Sequence, residues 1–346
     1  MADRLRIGLL LDGELAPAWL TRLLARVAAL DEVEITLILT ADDLPRTQPE
    51  DVGDWDGASQ GVAWKLWRSL ERRLYPTSTR NFELRPLPPV LRGVERLSIP
   101  AGTESSTAPM SMLRHLRSLS LDVLVQFGLP EWGVPLCGVA TFGLWRVRSG
   151  DRRRGRRGPP GFWEVVRAEG ATSACLEMLT PDSLDGQVLA EGGFTSDDHS
   201  VLQNRDAHYG AAGGLLLREL SSLQRRGEDD WRALVAARQG GVVPATGTLL
   251  LTPDPVSAAL GWLRVCMRLL ARKLRARFMR EQWLLMYSFA SKDAPDTRFE
   301  RFRRITPPKD RIWADPFVVQ RRGRWYVFFE ELLHGEAHGV LPTQRA

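Results

Sequence analysis

The stretch RIGLLLDGELAPAWLTRLLARVAALDEVEITLIL, residues 6–39, decides the fold class. It contains two short, largely apolar runs, residues 7–11 and residues 33–39, and between them apolar residues recur at helical spacing. A short apolar run predicts a buried strand, and two such strands joined by a helix predict a parallel pair. The stretch therefore predicts an α/β fold built on an open parallel sheet.

The turn after the first predicted strand lacks the glycines of a dinucleotide-binding site. A G-x-G-x-x-G turn lets the backbone approach a pyrophosphate closely, whereas LLDGELAP offers Gly13 alone. Nicotinamide and flavin dinucleotides are therefore not expected as ligands of this domain.

Length and composition predict more than one domain. The chain has 346 residues, a length greater than one ordinary core requires. Hydrophobic residues make up 44% of it, which allows a sizeable core. A Gly/Val/Pro/Thr-rich piece after residue 238 breaks the helical pattern and predicts a linker. We expect an α/β domain over residues 1–240, a linker with a basic helix over 241–281, and β-structure over 282–346.

The cysteines and the N-terminus bear on the compartment. Cys137, Cys175 and Cys266 are odd in number and far apart in sequence, so neither a disulfide framework nor a zinc site is indicated. The N-terminus lacks the apolar core of a signal peptide, and no run reaches the roughly 18 apolar residues of a membrane span. We expect a cytoplasmic protein without a bound metal.

Much of the net charge of +5 comes from the stretch GLWRVRSGDRRRGRRGPPGFWEV, residues 143–165, which holds seven arginines. It could be a basic arm for nucleic acid, a solvated linker, or an active-site loop whose chemical residues have been replaced. No recognisable RNA- or DNA-binding motif surrounds it, so nucleic acid is not expected as a partner.

The order of the neighbouring motifs favours the active-site loop. LDVLVQFG, FGLW, GPPGFWE, TSACLEMLT and LDGQVLAEGGF follow one another along the chain. In this order they resemble the N-terminal catalytic domain of formyltransferases that use 10-formyltetrahydrofolate, and the resemblance covers roughly residues 4–240. It implies a formyltransferase-like, Rossmann-like sheet, formyl transfer to an amine, and 10-formyltetrahydrofolate as donor.

The resemblance also assigns catalytic positions. In the family, a strand carries Asn-x-His, and an Asp follows later beside a Gly. Counted from FGLW, the Asn falls on Arg146 and the His on Arg148, while Asp185 is retained. With the imidazole gone, the resemblance implies that Asp185 forms an ion pair with Arg148.

A variant of the family reads His-His-Gly-Asp in this loop, and the match to it is closer. Gly150 and Asp151 are then retained, whereas the two histidines become Arg148 and Ser149. Both alignments lose the imidazole.

Ligand contacts are expected where the predicted strand LDVLVQFG ends. Open α/β sheets bind ligands at the carboxyl ends of their strands, and LDVLVQFG ends in Phe127 and Gly128. Gly158, which opens the Gly-Pro-Pro-Gly turn, is the third expected contact.

The replaced residues decide what chemistry is left. In formyl transfer an amine attacks the formyl carbon, so an amide and an imidazole stabilise the oxyanion while a carboxylate assists proton transfer. A guanidinium keeps its protons at physiological pH and can only stabilise the oxyanion. Two functions stay open: a formyltransferase or its catalytically impaired descendant, and a non-catalytic module that binds a ligand or partner in polysaccharide or glycolipid assembly.

The C-terminal part carries a second resemblance. RIWADPFVVQRRGRWYVFFEEL, residues 311–332, resembles the first blade of the five-bladed propeller in glycoside hydrolases and in the domain named after glucosamine inositolphosphorylceramide transferase. The resemblance implies a carbohydrate-related role, with a sugar amine as one candidate acceptor, and places Asp315 near the propeller axis. One blade cannot close a propeller, so we expect an incomplete propeller blade.

The segment from Val256 to Arg280 predicts a basic amphipathic helix. Arg264, Arg268 and Arg272 are spaced four apart along it. Such a helix could lie on an anionic membrane surface, or its charged stripe could be the solvated face of a connecting helix.

Overall fold

The computed structural model describes residues 4–41, 62–99, 109–129, 132–149, 161–239, 254–278, 282–289, 302–334 and 343–345. The chain divides into two compact units, residues 1–269 and residues 270–346. The division falls inside the segment 241–281 that the sequence predicts as the linker.

The first unit alternates strands and helices along most of its length. Its strands are β1 (Leu5–Leu10), β2 (Leu15–Pro17), β3 (Val33–Ala41), β4 (Leu84–Pro86), β5 (Glu95–Ile99), β6 (Val123–Gln126), β7 (Leu144–Ser149), β8 (Ala171–Thr180) and β9 (Ser183–Thr195). Its helices are α1 (Ala18–Ala28), α2 (Val62–Leu74), α3 (Pro76–Asn81), α4 (Met110–Ser118), α5 (Gly133–Leu136), α6 (Phe162–Arg167), α7 (Val201–Arg226), α8 (Glu228–Gln239) and the start of α9 (Pro255–Phe278).

The main sheet is mixed, with the strand order β5-β3-β1-β6-β7-β8-β9. The five strands from β5 to β7 are parallel. At the β7 side of the sheet, β8 pairs antiparallel with β7 and β9 pairs antiparallel with β8. The predicted α/β class with an open parallel sheet is confirmed, and the two antiparallel strands extend it.

Each face of the sheet has its own core. On one face, Trp19, Leu24, Leu216 and Trp231 from α1, α7 and α8 pack against alternate residues of the strands. On the other face, the buried residues of α4 and α5 pack against the remaining alternate residues, among them Leu144 and Leu179. The parallel strands are thus covered on both sides, which explains why β1 and β6 are almost wholly apolar.

Gly161, at the start of α6, is anchored from α7 by a buried amide. Asn204 is fully buried, and its Nδ2 donates to the carbonyl of Gly161 over 3.2 Å and to Thr172 Oγ1 over 2.9 Å. Its Oδ1 accepts the backbone N–H of Asp197. Gly161 has a φ of +75°, and a Cβ there would come within 2.4 Å of Asn204 Nδ2, so glycine is required at the start of α6.

We expect Asn204→Leu to lower the free energy of unfolding by about 2 kcal/mol, because buried polar partners then lose a hydrogen bond. Chemical denaturation followed by tryptophan fluorescence measures the change. Gln203→Ala, on the neighbouring position of α7, is the control and should change stability little; an equal loss in both variants would contradict a specific role of the amide.

The second unit contains β10 (Leu285–Tyr287), β11 (Arg303–Ile305), β12 (Arg311–Arg321), β13 (Arg324–Leu333) and β14 (Thr343–Arg345). β12, β13 and β14 form an antiparallel sheet, and Arg322 and Gly323 connect the first two with φ of +52° and +74°. Two residues of positive φ are typical of a tight hairpin turn, so Arg322 and Gly323 form the turn of this hairpin. The buried core of this unit consists of Leu285, Trp313 and Phe329.

Within the described residues, no helix has both the length and the apolarity that crossing a membrane requires.

Candidate active site

The carboxyl edge of the parallel strands carries a row of aligned residues. Leu10 of β1 pairs with Gln126 of β6, Gln126 pairs with Arg146 of β7, and Arg146 pairs with Glu177 of β8. Paired positions on neighbouring strands project to the same face of a sheet. The polar residues Gln126, Arg146 and Glu177 therefore lie on one face, the face covered by α4 and α5.

Asp12 and Gly128 join the ends of β1 and β6. Asp12 Oδ1 accepts the backbone N–H of Leu129 over 2.9 Å, and the N–H groups of Phe127 and Gly128 both donate to the carbonyl of Leu10. A Cβ on Gly128 would come within 2.3 Å of Asp12 Oδ1. Glycine is therefore required at residue 128 by this close approach.

Gln126 is buried beneath the loop that follows it. Its Nε2 donates to the carbonyl of Leu129 over 2.8 Å. A Cβ on Gly133, at the start of α5, would come within 3.0 Å of Gln126 Oε1. Gln126 thus fixes the loop after β6 and the start of α5 against the sheet.

Arg146 and Glu177 form the charged part of the row. Arg146 Nη2 lies 3.5 Å from Glu177 Oε2; the Arg146 side chain is 30% exposed and Glu177 is fully buried. A Cβ on Gly186, where φ is +82°, would come within 3.2 Å of the same oxygen. The Glu177 carboxylate therefore lies between Arg146 and the start of β9 at Gly186.

The predicted site residues are brought together only in part. Phe127, Gly128 and Arg146 lie at the carboxyl edge, as expected from the sequence. Arg148 and Asp185 are described through their backbone, on β7 and β9.

Two more predicted site residues, Asp151 and Gly158, lie outside the described residues.

The registers do not support the ion pair between Arg148 and Asp185. Arg148 pairs with Cys175, and Cys175 pairs with Glu191. Asp185 precedes Glu191 by six residues on β9, which at about 3.3 Å per residue is roughly 20 Å along the strand. Among the described side chains, Glu177 is a carboxylate that the structure places beside Arg146.

The described histidines of the first unit lie away from this row. His115 on α4 is half-exposed and contacts Glu95 over 2.8 Å, and His199 precedes α7. His208 is fully buried on α7, on the opposite face of the sheet; burial, with a smaller contribution from Arg205, lowers its pKa to about 4 despite a hydrogen bond to the Ser173 backbone. The described part of the edge thus offers a guanidinium and a carboxylate, and no imidazole.

Asp197, Asp198 and His199 form a cluster with ligand atoms within 4.8 Å of one another. Their contacts fit a structural role. Asp197 Oδ1 accepts the N–H groups of His199 and Ser200, and Ser200 caps α7 by accepting from Gln203. The cluster is therefore explained as the turn that begins α7.

Sequence reasoning missed Asp12, Gln126 and Glu177. Glu177 is a single acidic residue in the otherwise largely apolar strand TSACLEMLT, and a buried charge is rare unless it is paired. That contrast could have marked Glu177, although only the register identifies Arg146 as its partner.

Comparison with known proteins finds similar solved structures at low identity. One is glycinamide ribonucleotide transformylase 1 from Symbiobacterium toebii, with 11% identity, 66% of this chain and 92% of that chain covered, and a TM-score of 0.40. Another is a formyltetrahydrofolate deformylase from Pseudomonas syringae pv. tomato str. DC3000, with 14% identity, 66% and 65% covered, and a TM-score of 0.42. A third is a sugar N-formyltransferase from Shewanella sp FDAARGOS_354, with 11% identity, 75% and 87% covered, and a TM-score of 0.39.

No protein-family model matches the chain, and no curated protein matches it. The activity must therefore be argued from the residues themselves.

Proposed function

We propose that the first unit is a formyltransferase-like protein that binds a 10-formyltetrahydrofolate-type donor at the carboxyl edge, and that its proton-transfer chemistry is impaired. The observation that carries this is the ion pair of Arg146 with the buried Glu177. Arg146 is at the position on β7 where the sequence resemblance places the catalytic asparagine. The acceptor class is an amine.

The ion pair defines what the described residues can do. The Arg146 guanidinium can donate hydrogen bonds to an oxyanion that develops on a formyl group, and Glu177 orients it. Arg146 does not replace a histidine in proton transfer, because the guanidinium does not release a proton at physiological pH, and the Glu177 carboxylate is held in the ion pair with Arg146. Such a site stabilises charge and binds a carbonyl compound better than it transfers a proton.

The described residues at this edge provide anchoring rather than a complete pocket. Asp12, Phe127 and neighbouring residues of β2, α1 and β4 line a cavity of about 30 Å³, which has room for about one small group. Residues 130–131 and 150–160, which adjoin β6 and β7 in sequence, lie outside the described residues.

A sugar amine as acceptor rests on the resemblance of residues 311–332 to a propeller blade. One local feature supports it: Asp315 has a φ of +47° at an irregularity in the pairing of β12 with β13. Irregular strand positions of this kind often re-aim a side chain near an active site. The incomplete propeller blade and the cytoplasmic location stay predictions.

The alternative is a non-catalytic module that binds a ligand or a partner in polysaccharide or glycolipid assembly. The same edge favours this alternative, because its described part offers no imidazole for proton transfer. The two proposals differ in whether the native chain turns over a formyl donor.

We expect the native chain to bind 5-formyltetrahydrofolate saturably in isothermal titration calorimetry. Arg146→Met should weaken this binding at least about tenfold, because a charge-assisted hydrogen bond is lost. Arg92→Met, at an exposed arginine, is the matched control and should leave the affinity unchanged.

Turnover of 10-formyltetrahydrofolate by the native chain, measured in parallel, separates the two functions. Saturable binding with slow but measurable turnover supports an impaired descendant, and binding without any turnover supports the non-catalytic module. Absence of saturable folate binding would overturn the folate proposal in favour of the non-catalytic module.

A further inference from the structure

Helix α9 carries a continuous apolar row that is exposed to solvent. The row consists of Val256, Leu260, Leu263, Met267, Leu270, Leu274 and Phe278, which are between 49% and 80% exposed. Their spacing of three or four residues places them on one face of the helix. Single exposed apolar residues are common, but seven on one face form a patch of the kind that marks an interaction surface.

The opposite face of the same helix is already occupied. Ala258 and Val265 are buried in a cluster with residues of α2, α6 and α7, and a Cβ on Gly261 would come within 2.8 Å of Val166. Residues 258, 261 and 265 lie about half a turn away from the exposed row. The fold therefore uses one face of α9 and leaves the apolar row uncovered.

The charges of α9 are of one sign. Between Pro255 and Phe278 the helix holds six basic residues and no acidic residue. Five of the six are exposed, namely Arg264, Arg272, Lys273, Arg275 and Arg277. At 100° per residue, Arg264 and Arg275 flank the apolar row on one side and Lys273 and Arg277 on the other, whereas Arg272 lies on the opposite face.

Arg268 is the exception among the basic residues. Its Nη2 donates to the carbonyl of Val165 in α6, and partial burial lowers its pKa. The sequence places Arg264, Arg268 and Arg272 on one basic stripe, but the structure gives Arg268 a packing role inside the first unit.

We propose that α9 docks this protein on an anionic membrane surface, lying in the interface with the apolar row turned toward the acyl chains and the flanking basic residues against anionic headgroups. An apolar face combined with basic flanks is the pattern of helices that lie in a membrane interface. Charge complementarity favours an anionic membrane surface over a second copy of the chain as the partner of the apolar row. Pairing of two copies through the row would bring basic flanks against each other, whereas anionic lipid attracts them.

The test is flotation of the full chain with vesicles of phosphatidylcholine alone and of phosphatidylcholine with phosphatidylserine. We expect binding only when phosphatidylserine is present, and a decrease when salt is raised. Arg264→Glu with Arg275→Glu should weaken binding at least about fivefold per residue. Leu263→Gln with Leu270→Gln should weaken it at least about tenfold, because the apolar insertion is lost.

Matched control variants carry the same types of substitution at positions outside α9. Arg114→Glu with Arg117→Glu reverses two exposed charges on α4, and Val90→Gln with Met110→Gln changes two residues that are 61% and 63% exposed. Both should bind as the native chain does, and circular dichroism checks the fold of every variant.

Three outcomes would overturn the proposal. The first is equal binding to neutral and anionic vesicles, and the second is an equal loss of binding in the test and control variants. The third is a native chain that binds no vesicles and forms a dimer, which the two leucine changes convert to a monomer. The last outcome would identify the row as an interface between copies of the chain.

Discussion

Lowering the pH from about 6.5 to 4 is expected to reduce the free energy of unfolding by about 3 kcal/mol through His208 alone. This side chain is fully buried on α7, and burial is the main reason why its pKa falls to about 4. The unfolded chain binds a proton near pH 6.5 and the folded chain does so only near pH 4. The stabilisation is therefore present above pH 6.5 and is lost as the pH falls toward 4.

Chemical denaturation at a series of pH values measures this loss. His208→Gln should flatten the curve between pH 4 and 6.5, whereas His115→Gln, at a half-exposed histidine, should keep the native slope. If His208→Gln does not fold, nuclear magnetic resonance on the native chain gives the same information. An imidazole signal of His208 that titrates near pH 6.5 would contradict the expectation.

The parallel core could be predicted because its signals are local. Residues 7–11 and 33–39 are apolar enough to be buried on both faces, and α1 has a clear apolar face between them. The strands β8 and β9 were also predictable as strands. Their antiparallel direction was not, because it depends on how the chain returns after α6.

Two elements depended on weaker signals. β5 lies at the edge of the sheet and contains the exposed residues Glu95 and Arg96, so its sequence ERLSI lacks a buried strand's pattern. Residues 204–238 have helical periodicity, but the helix is interrupted at Gly227, whose φ of +77° ends α7. A glycine in a helical pattern is compatible with either continuation or a break.

The candidate site was predictable only where a motif carried it. Arg146 followed from the order of motifs, whereas its partner Glu177 lies 31 residues later and is selected by strand register. Asp12 and Gln126 act through contacts with the loop after β6, and no motif in the sequence marks them. Register and loop packing arise from the tertiary fold, so spacing along the chain does not reveal them.

Restoring the missing residues is expected to raise formyl transfer about a hundredfold or more. The double change Arg146→Asn with Arg148→His returns an amide and an imidazole to β7. Positioned proton transfer contributes typically about 10²–10⁴-fold, and one oxyanion donor about 10²–10³-fold. The two gains need not multiply, because residues that act as a unit are not additive.

Glu177 sets a condition on this experiment. Arg146→Asn alone removes the charge beside a buried carboxylate, and a buried carboxylate that loses its partner is costly. We therefore add Glu177→Gln to the double change, and compare formyl-donor hydrolysis by the native chain, Arg148→His, and the double and triple variants. A gain of formyl-donor hydrolysis only in the variants that carry the histidine supports the hypothesis that a catalytic imidazole has been lost. A native chain that is already active, and that loses its activity in Asp185→Asn, would show that the proton moves through a different residue.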